Sequence, residues 1–160
     1  MTESIFKAKW IVRGAIDREN ADILKNGALF QRDGVIVDIG PLADIEAKYP
    51  NVDVIGSDDQ IILPGFVNAH HHVGMTPLQL GSPDHPLELW FASRMSARDL
   101  DRYLDTLYSS FEMIASGITT VQHIHGWMQG PLERINNNAS QVLQAYRDVG
   151  MRASYCYAVR

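Results

Sequence analysis

Three consecutive histidines close the segment PGFVNAHHH at residues 64–72. In an extended strand, side chains two residues apart project from the same side, so His70 and His72 share a direction and His71 points away. Two imidazoles placed in this way at the end of a strand can bind one divalent ion, with each nitrogen about 2.0 to 2.1 Å from it. A catalytic zinc centre normally takes three protein ligands and a water, so other ligands must come from elsewhere in the protein.

A second pair of histidines with the same spacing, His123 and His125, ends the β-branched run ITTVQHIH at residues 118–125. If that run is a strand parallel to the first, both pairs lie at the same edge of one sheet. Three roles stay open for the second pair: contact with a substrate, support of a neighbouring group, or hydrogen bonding satisfied within the protein. A rarer arrangement places all four histidines around one ion.

Short strands and turns dominate the first third of the chain. Asp33-Gly34 lies between two apolar-rich runs and is a strong signal for a β-hairpin. Residues 41–50 fit one or two turns of helix that stop near Pro50, because the residue before a proline is driven out of the helical region. Residues 1–63 are therefore expected to form part of a small antiparallel sheet layer.

Strands and helices alternate in the rest of the chain. FVNA is a short apolar strand of the kind that is buried on both faces of a parallel sheet. A helix follows, with a capping-box-like start at Ser96 and Asp99 and a stop at Gly117. Its apolar residues recur every three or four positions: Leu100, Leu104, Leu107, Phe111 and Ile114.

A second helix is predicted over residues 140–150, after a polar loop at residues 135–139. An apolar strand follows it. Strand, helix, strand, helix, strand is the opening of a parallel α/β fold.

Composition excludes some classes of partner. The chain of 160 residues is 46% hydrophobic and has a net charge of −5. It has no basic stripe that could neutralise phosphates, so neither nucleic acid nor an anionic membrane is expected as a partner, whereas a small molecule is. Cys156 is the only cysteine, and neither a signal peptide nor a membrane span is recognisable, so we expect a cytoplasmic protein.

Four segments resemble one known family. LPGFVNAHHH resembles the first-strand motif of the amidohydrolase superfamily, Pro-Gly-apolar-apolar-Asn/Asp-x-His-x-His, and its Asn68-Ala69 version is similar to the deaminase and chlorohydrolase branch. GALFQRDGVIVDIGPLADIEAKYP resembles the N-terminal β-sandwich segment of that branch. HPLELWF resembles its Leu-x-x-Trp helix start, and SGITTVQHIH resembles its second barrel strand.

The resemblance implies an α/β fold, namely the N-terminal part of a metal-dependent (β/α)8 TIM barrel preceded by part of a small β-sandwich. Residues 1–63 would be the sandwich segment, and residues 64–160 the first three barrel strands with their helices. Because the chain stops at Arg160 directly after an apolar strand, we expect it to be the N-terminal part of a longer protein.

The resemblance also implies which residues bind metal. His70 and His72 match the two first-strand ligands of a divalent ion, expected to be zinc, with iron as the alternative. The remaining ligands and the acid/base groups of the family lie on later strands. No catalytic residue is therefore expected before Arg160.

Weaker candidates for contact with a substrate are His123, His125, Gln79 and Trp90. Gln79 stands where the resembling branch often has an arginine, which puts in doubt a substrate that needs a cation there. Trp90 could line a pocket, but an aromatic residue at the start of a helix also fits the core.

The activity that the resemblance implies is hydrolysis of a carbon-nitrogen bond, other than a peptide bond, in a small cyclic substrate, as in a deaminase or a chlorohydrolase. Water activated by the metal ion would attack the substrate carbon, with an aspartate of a later strand as base. The 160 residues alone are expected to be inactive, and the whole protein to form a homodimer. The alternative is a non-catalytic metal-binding or truncated interaction fragment.

Overall fold

The computed structural model describes residues 2–72, 85–96, 100–126 and 130–158. The chain divides into two compact units between Pro64 and Gly65, one residue from the boundary expected from the sequence. Within the described ranges, no helix is long and apolar enough to cross a membrane.

The first unit is a four-stranded sheet with one short helix. Its strands lie in the order β3-β2-β1-β4. The elements are β1 (Glu3–Ala15), β2 (Ala21–Arg32), β3 (Val35–Pro41), α1 (Leu42–Lys48) and β4 (Val54–Ile62). The helix predicted before Pro50 is confirmed. Its buried residue Ile45 packs on Ile5 and Phe30 of the sheet.

The hairpin between β2 and β3 confirms the turn predicted at Asp33-Gly34. Both residues have positive φ angles, 51° and 81°, as a type I′ turn requires. The expectation of a wholly antiparallel layer is wrong, because β4 pairs with β1 in the parallel sense. Helix α1 returns the chain between β3 and β4, so β4 runs in the direction of β1.

The second unit is a three-stranded parallel sheet with three helices in its described part. The strands lie in the order β5-β6-β7. The elements are β5 (Phe66–His71), α2 (Leu87–Met95), α3 (Arg102–Ala115), β6 (Ile118–His125), α4 (Leu132–Val149) and β7 (Arg152–Tyr157). The predicted alternation of strands and helices is confirmed, and the chain as a whole is of the mixed α/β class.

The long helix before β6 begins later than the sequence predicts. The carboxylate of Asp101 caps α3 by accepting a hydrogen bond of 2.9 Å from the backbone N–H of Leu104. Ser96 follows the end of α2, and its hydroxyl donates to the carbonyl of Ser93. The predicted cap at Ser96 is therefore wrong, and Asp99 lies outside the described residues.

Helix α4 is longer than predicted, since the polar stretch at residues 135–139 is helical and not a loop. Asparagine is only moderately unfavourable in a helix, and the buried face of Val142 and Tyr146 decides the outcome. Gly150 ends the helix in the left-handed conformation, with φ of 76°, as predicted for a glycine stop.

The apolar row that predicts α3 is not the face that packs against the rest of the unit. Leu104, Phe111 and Ile114 are exposed, whereas Thr106 and Ser110 are buried. The hydroxyls of both buried residues donate to helix carbonyls, of Arg102 and Thr106 respectively. Burying a hydroxyl group that keeps its hydrogen bond costs little free energy, so small polar residues can occupy this close-packed side of the helix.

Candidate metal centre

Strand β5 contains a β-bulge directly before the histidines. Asn68 pairs with Val121 and His71 pairs with His123, so β5 advances three residues where β6 advances two. An inserted residue exchanges the faces to which the following side chains point. Asn68 and His71 therefore share one face of the sheet, although they are an odd number of residues apart.

His70 and His72 converge, as the spacing predicts. Their Nε2 atoms are 3.0 Å apart, and their rings meet edge to face at an angle of 79°. The Nδ1 atom of His72 lies 2.8 Å from the carbonyl oxygen of Ile124 on β6. The backbone N–H of His70 donates to the side-chain oxygen of Asn68 at 3.2 Å, which fixes the bulged segment.

The contact with Ile124 determines the tautomer of His72. A carbonyl oxygen can only accept a hydrogen bond, so the hydrogen of the neutral imidazole is on Nδ1. The lone pair of His72 is then on Nε2 and faces the Nε2 atom of His70. Either His70 donates a hydrogen to that lone pair, or both lone pairs bind a cation between them.

The donor set suits a divalent transition metal. Two ligands at about 2.05 Å from a tetrahedral ion are about 3.3 Å apart, close to the 3.0 Å between the Nε2 atoms of His70 and His72. Imidazole nitrogen is a ligand that zinc and iron both accept. Among the described residues, no group of three or more histidine, cysteine, aspartate or glutamate side chains could hold a metal. The four-histidine arrangement is therefore not formed.

His123 and His125 are buried and hydrogen-bonded to other side chains. His123 has no exposed surface and His125 has 4%. The Nδ1 atom of His123 lies 2.8 Å from the hydroxyl oxygen of Tyr146 on α4, and its Nε2 atom lies 3.2 Å from Nδ1 of His125. The ring of Tyr155 on β7 stacks on His123, with centroids 5.3 Å apart.

The two histidine pairs lie on opposite faces of the sheet. Val121 alternates with His123 and packs in a core with Tyr146, so His123 and His125 point towards the helices. The ring of His71 lies beside that of His123, with centroids 6.2 Å apart. The neighbours of His71 in the chain, His70 and His72, therefore point away from the helices.

This placement favours a supporting role for His123 and His125 over direct contact with a substrate. Both rings have protein partners at hydrogen-bond distance. Substrate contact by either residue stays a prediction.

Burial keeps both of these histidines neutral. Loss of hydration lowers the pKa of His123 to about 3, with a further contribution from the charge of His125. Loss of hydration likewise lowers the pKa of His125 to about 4, with the charge of Arg102 adding to it. Burial raises the pKa of Tyr146, so its hydroxyl stays protonated and available as a donor.

The remaining candidates are only partly placed. Trp90 is half-buried on α2 and contacts the ring of Phe91, with centroids 5.7 Å apart. Gln79 lies outside the described residues. Beside His123, the Nε2 atom of His71 and the hydroxyl of Tyr155 are buried without a hydrogen-bond partner among the described residues.

Two groups at the site were missed by sequence reasoning. Tyr146 lies among apolar residues on one face of α4, where the pattern indicates core packing and nothing more. The carbonyl of Ile124 belongs to the backbone and has no signal in the sequence. Only the pairing of β5 with β6 brings it to His72.

Comparison with known proteins identifies the family. Residues 61–159, more than half of the chain, match the model of the amidohydrolase family. The chain belongs to this family. The resemblance read from LPGFVNAHHH is thereby confirmed.

Proteins similar to this chain include a curated relative and two solved structures. A 5-methylthioadenosine/S-adenosylhomocysteine deaminase of Desulforamulus reducens is 31% identical over 153 residues, which are 89% of this chain and 32% of that protein. An adenosine deaminase from Xanthomonas campestris, solved with bound zinc, matches 95% of this chain and 33% of its own, with a TM-score of 0.73 and 25% identity.

The second structure is an atrazine chlorohydrolase from Arthrobacter aurescens, solved with zinc. It matches 96% of this chain and 35% of its own, with a TM-score of 0.72 and 18% identity, and it supports the fold alone. The chain spans about a third of the length of the curated relatives it matches.

Proposed function

We propose that this amidohydrolase chain is part of a metal-dependent hydrolase that cleaves a carbon-nitrogen bond, other than a peptide bond, in a small cyclic molecule. Family membership and the deaminases among the relatives support this activity. They do not favour the non-catalytic alternative.

One observation carries the proposal, namely the convergence of the Nε2 atoms of His70 and His72 at 3.0 Å. The hydrogen bond from His72 to Ile124 leaves the His72 lone pair directed at this point. Zinc is the ion we propose, with iron as the alternative, because imidazole suits both and a structural relative was solved with zinc.

The residues of this chain would bind the metal ion and orient one of its ligands. His70 and His72 supply two of the ligands, and the carbonyl of Ile124 keeps the His72 ring from rotating. A divalent ion held there would supply Lewis acidity and would lower the pKa of a water molecule towards neutral pH. The remaining ligands and the acid/base group are proposed to lie beyond Arg160, so that the 160 residues alone are inactive.

An adenine nucleoside is the substrate class that we propose. The relatives include deaminases of 5-methylthioadenosine, S-adenosylhomocysteine and adenosine. In such a reaction water adds to the ring carbon that carries the amino group, the carbon-nitrogen bond breaks, and ammonia leaves. Hydrolysis of a chlorinated ring would release chloride at the same position.

The fold proposal follows from the same relatives. Strands β5, β6 and β7 would be the first three strands of a (β/α)8 barrel, and the first unit would be part of a β-sandwich. Homodimer formation, a cytoplasmic location and the roles of Gln79 and Trp90 stay predictions.

Two measurements test the proposal. Zinc affinity of the 160-residue chain, from competition with a chelating dye, should fall in His70→Ala and in His72→Ala but not in His85→Ala, a change at an exposed histidine. The full-length zinc-loaded protein should release ammonia from 5-methylthioadenosine or adenosine. Equal zinc affinity in all three variants, or no release of ammonia or chloride from amino- and chloro-substituted rings, would refute it.

A further inference from the structure

We propose that Tyr146 and His123 are positioning residues for His72. Through the carbonyl of Ile124 they hold the His72 imidazole in the tautomer whose Nε2 atom is open to a metal ion. The inference rests on the proposed metal site at His70 and His72, and it assigns a role to a helix residue on the far face of the sheet.

The first step is the position of Ile124 between His123 and His125. Both histidine side chains point towards the helices and are joined by a contact of 3.2 Å between Nε2 and Nδ1. The intervening residue is thus held on both sides. Its carbonyl oxygen faces the end of β5 and lies 2.8 Å from the Nδ1 atom of His72.

The second step is the direction of the hydrogen bonds. Tyr146 is 2% exposed, and its hydroxyl contacts Nδ1 of His123 at 2.8 Å. Donation by this hydroxyl makes Nδ1 of His123 the acceptor and puts the hydrogen on Nε2, from which it is donated to His125. One hydroxyl therefore selects the tautomers of both rings.

The third step is rigidity. Tyr146 packs in the core of the unit with Val121, Met113 and Val142, and the Tyr155 ring covers the other side of His123. Because the side chains around His123 are closely packed, a displacement of its ring is transmitted to neighbouring groups. Loss of the Tyr146 hydroxyl would leave a buried ring nitrogen of His123 without its donor, so His123 would reorient and move the peptide that binds His72.

The test uses Tyr146→Phe, which removes one oxygen and keeps the ring. Tyr103→Phe is the matched control, because the Tyr103 hydroxyl also bonds a residue of α4, Asp148, at 2.8 Å, but is exposed. In Tyr146→Phe the dissociation constant for zinc should rise by about tenfold. In Tyr103→Phe it should stay within about twofold of the unmodified chain.

The second readout is the tautomer of each ring, from nitrogen-15 NMR of the metal-free chain. His72 should carry its hydrogen on Nδ1 and His123 on Nε2, and Tyr146→Phe should convert His72 to a mixture. A purely structural role of Tyr146 would lower the free energy of unfolding and leave the His72 tautomer unchanged, which would overturn the inference. Hydrogen on Nδ1 of His123 in the unmodified chain would also overturn it, even if Tyr146→Phe does not fold.

Failure of the metal site and failure of this inference are distinguishable. If the unmodified chain binds no zinc, the proposed function loses its support. The tautomer of His72, with and without the Tyr146 hydroxyl, still decides the positioning role.

Discussion

The imidazole of His72 donates through Nδ1 to the carbonyl oxygen of Ile124, across 2.8 Å. The last backbone pair of β5 and β6 is His71 with His123. The side chain of His72 therefore forms the next hydrogen bond between the two strands, one residue beyond that pair. This contact fixes the ring of a proposed metal ligand without using another side chain. It also makes the proposed metal site depend on the packing of β6.

Zinc should stabilise the folded chain only when both converging histidines are present. A ligand at 100 times its dissociation constant raises the free energy of unfolding by about 2.7 kcal/mol. Urea unfolding with and without zinc should show this gain in the unmodified chain and in His85→Ala. The gain should disappear in His70→Ala and His72→Ala at the same zinc concentration, and a gain that persists in both would contradict the assignment.

Stability should decrease as the pH falls below about 6.5. The unfolded chain protonates its histidines near pKa 6.5, whereas the folded chain keeps His125 neutral to about 4 and His123 to about 3. The unfolded state thus binds more protons in this window, so stability present above pH 6.5 is lost as the pH approaches 4 and then 3. Between pH 7 and 5 the two histidines together should lower the free energy of unfolding by about 4 kcal/mol.

Urea midpoints measured from pH 7 to pH 5 check this expectation, because few carboxylates titrate there. In His125→Gln the slope of stability against pH should fall by roughly half. A midpoint that does not change over this range would show that the two imidazoles are not held neutral.

Substitutions at Asp101 and at Ser96 distinguish the observed start of α3 from the start predicted from the sequence. Asp101→Ala should lower the free energy of unfolding by about 1 kcal/mol, because the N–H of Leu104 loses its acceptor. Asp101→Asn should retain most of the stability. Ser96→Ala should change it by less than about 0.5 kcal/mol, and a larger loss there than at Asp101 would restore the helix start predicted from the sequence.

Gly65, directly before β5, has no room for a side chain. A Cβ atom at this position would overlap the Thr119 side chain of β6. Gly65→Ala should therefore lower the free energy of unfolding by about 1 to 3 kcal/mol, as overpacking does. The double variant with Thr119→Ala should recover part of the loss in thermal denaturation. If it recovers nothing, the steric explanation is wrong.

Local patterns predicted much of the fold. The turn at Asp33-Gly34 depends on the φ angles of two adjacent residues, and α1 ends where Pro50 requires it. The alternation of strands and helices in the second unit follows from residue periodicity and glycine stops. The convergence of His70 and His72 needs only the two-residue repeat of a strand.

Other features depend on contacts between elements that are distant in the sequence. The direction of β4 follows from the path of α1, and the helical state of residues 135–139 follows from packing of the helix as a whole. Tyr146 lies 23 positions from the ring to which it bonds. Neither its partner nor the carbonyl that orients His72 is encoded by residue type.

The bulge in β5 changes which of the following side chains face the helices. If the same residues alternated strictly from Asn68 with no bulge, both imidazoles would point inward, to the side on which Met113 and Tyr146 pack. Deletion of the single codon for Ala69 would remove the extra residue together with the bulge, so that His71 would still pair with His123 and both chelating imidazoles would keep their present face. A homologue with one residue fewer before its histidines could therefore retain metal, although its motif would no longer match letter by letter.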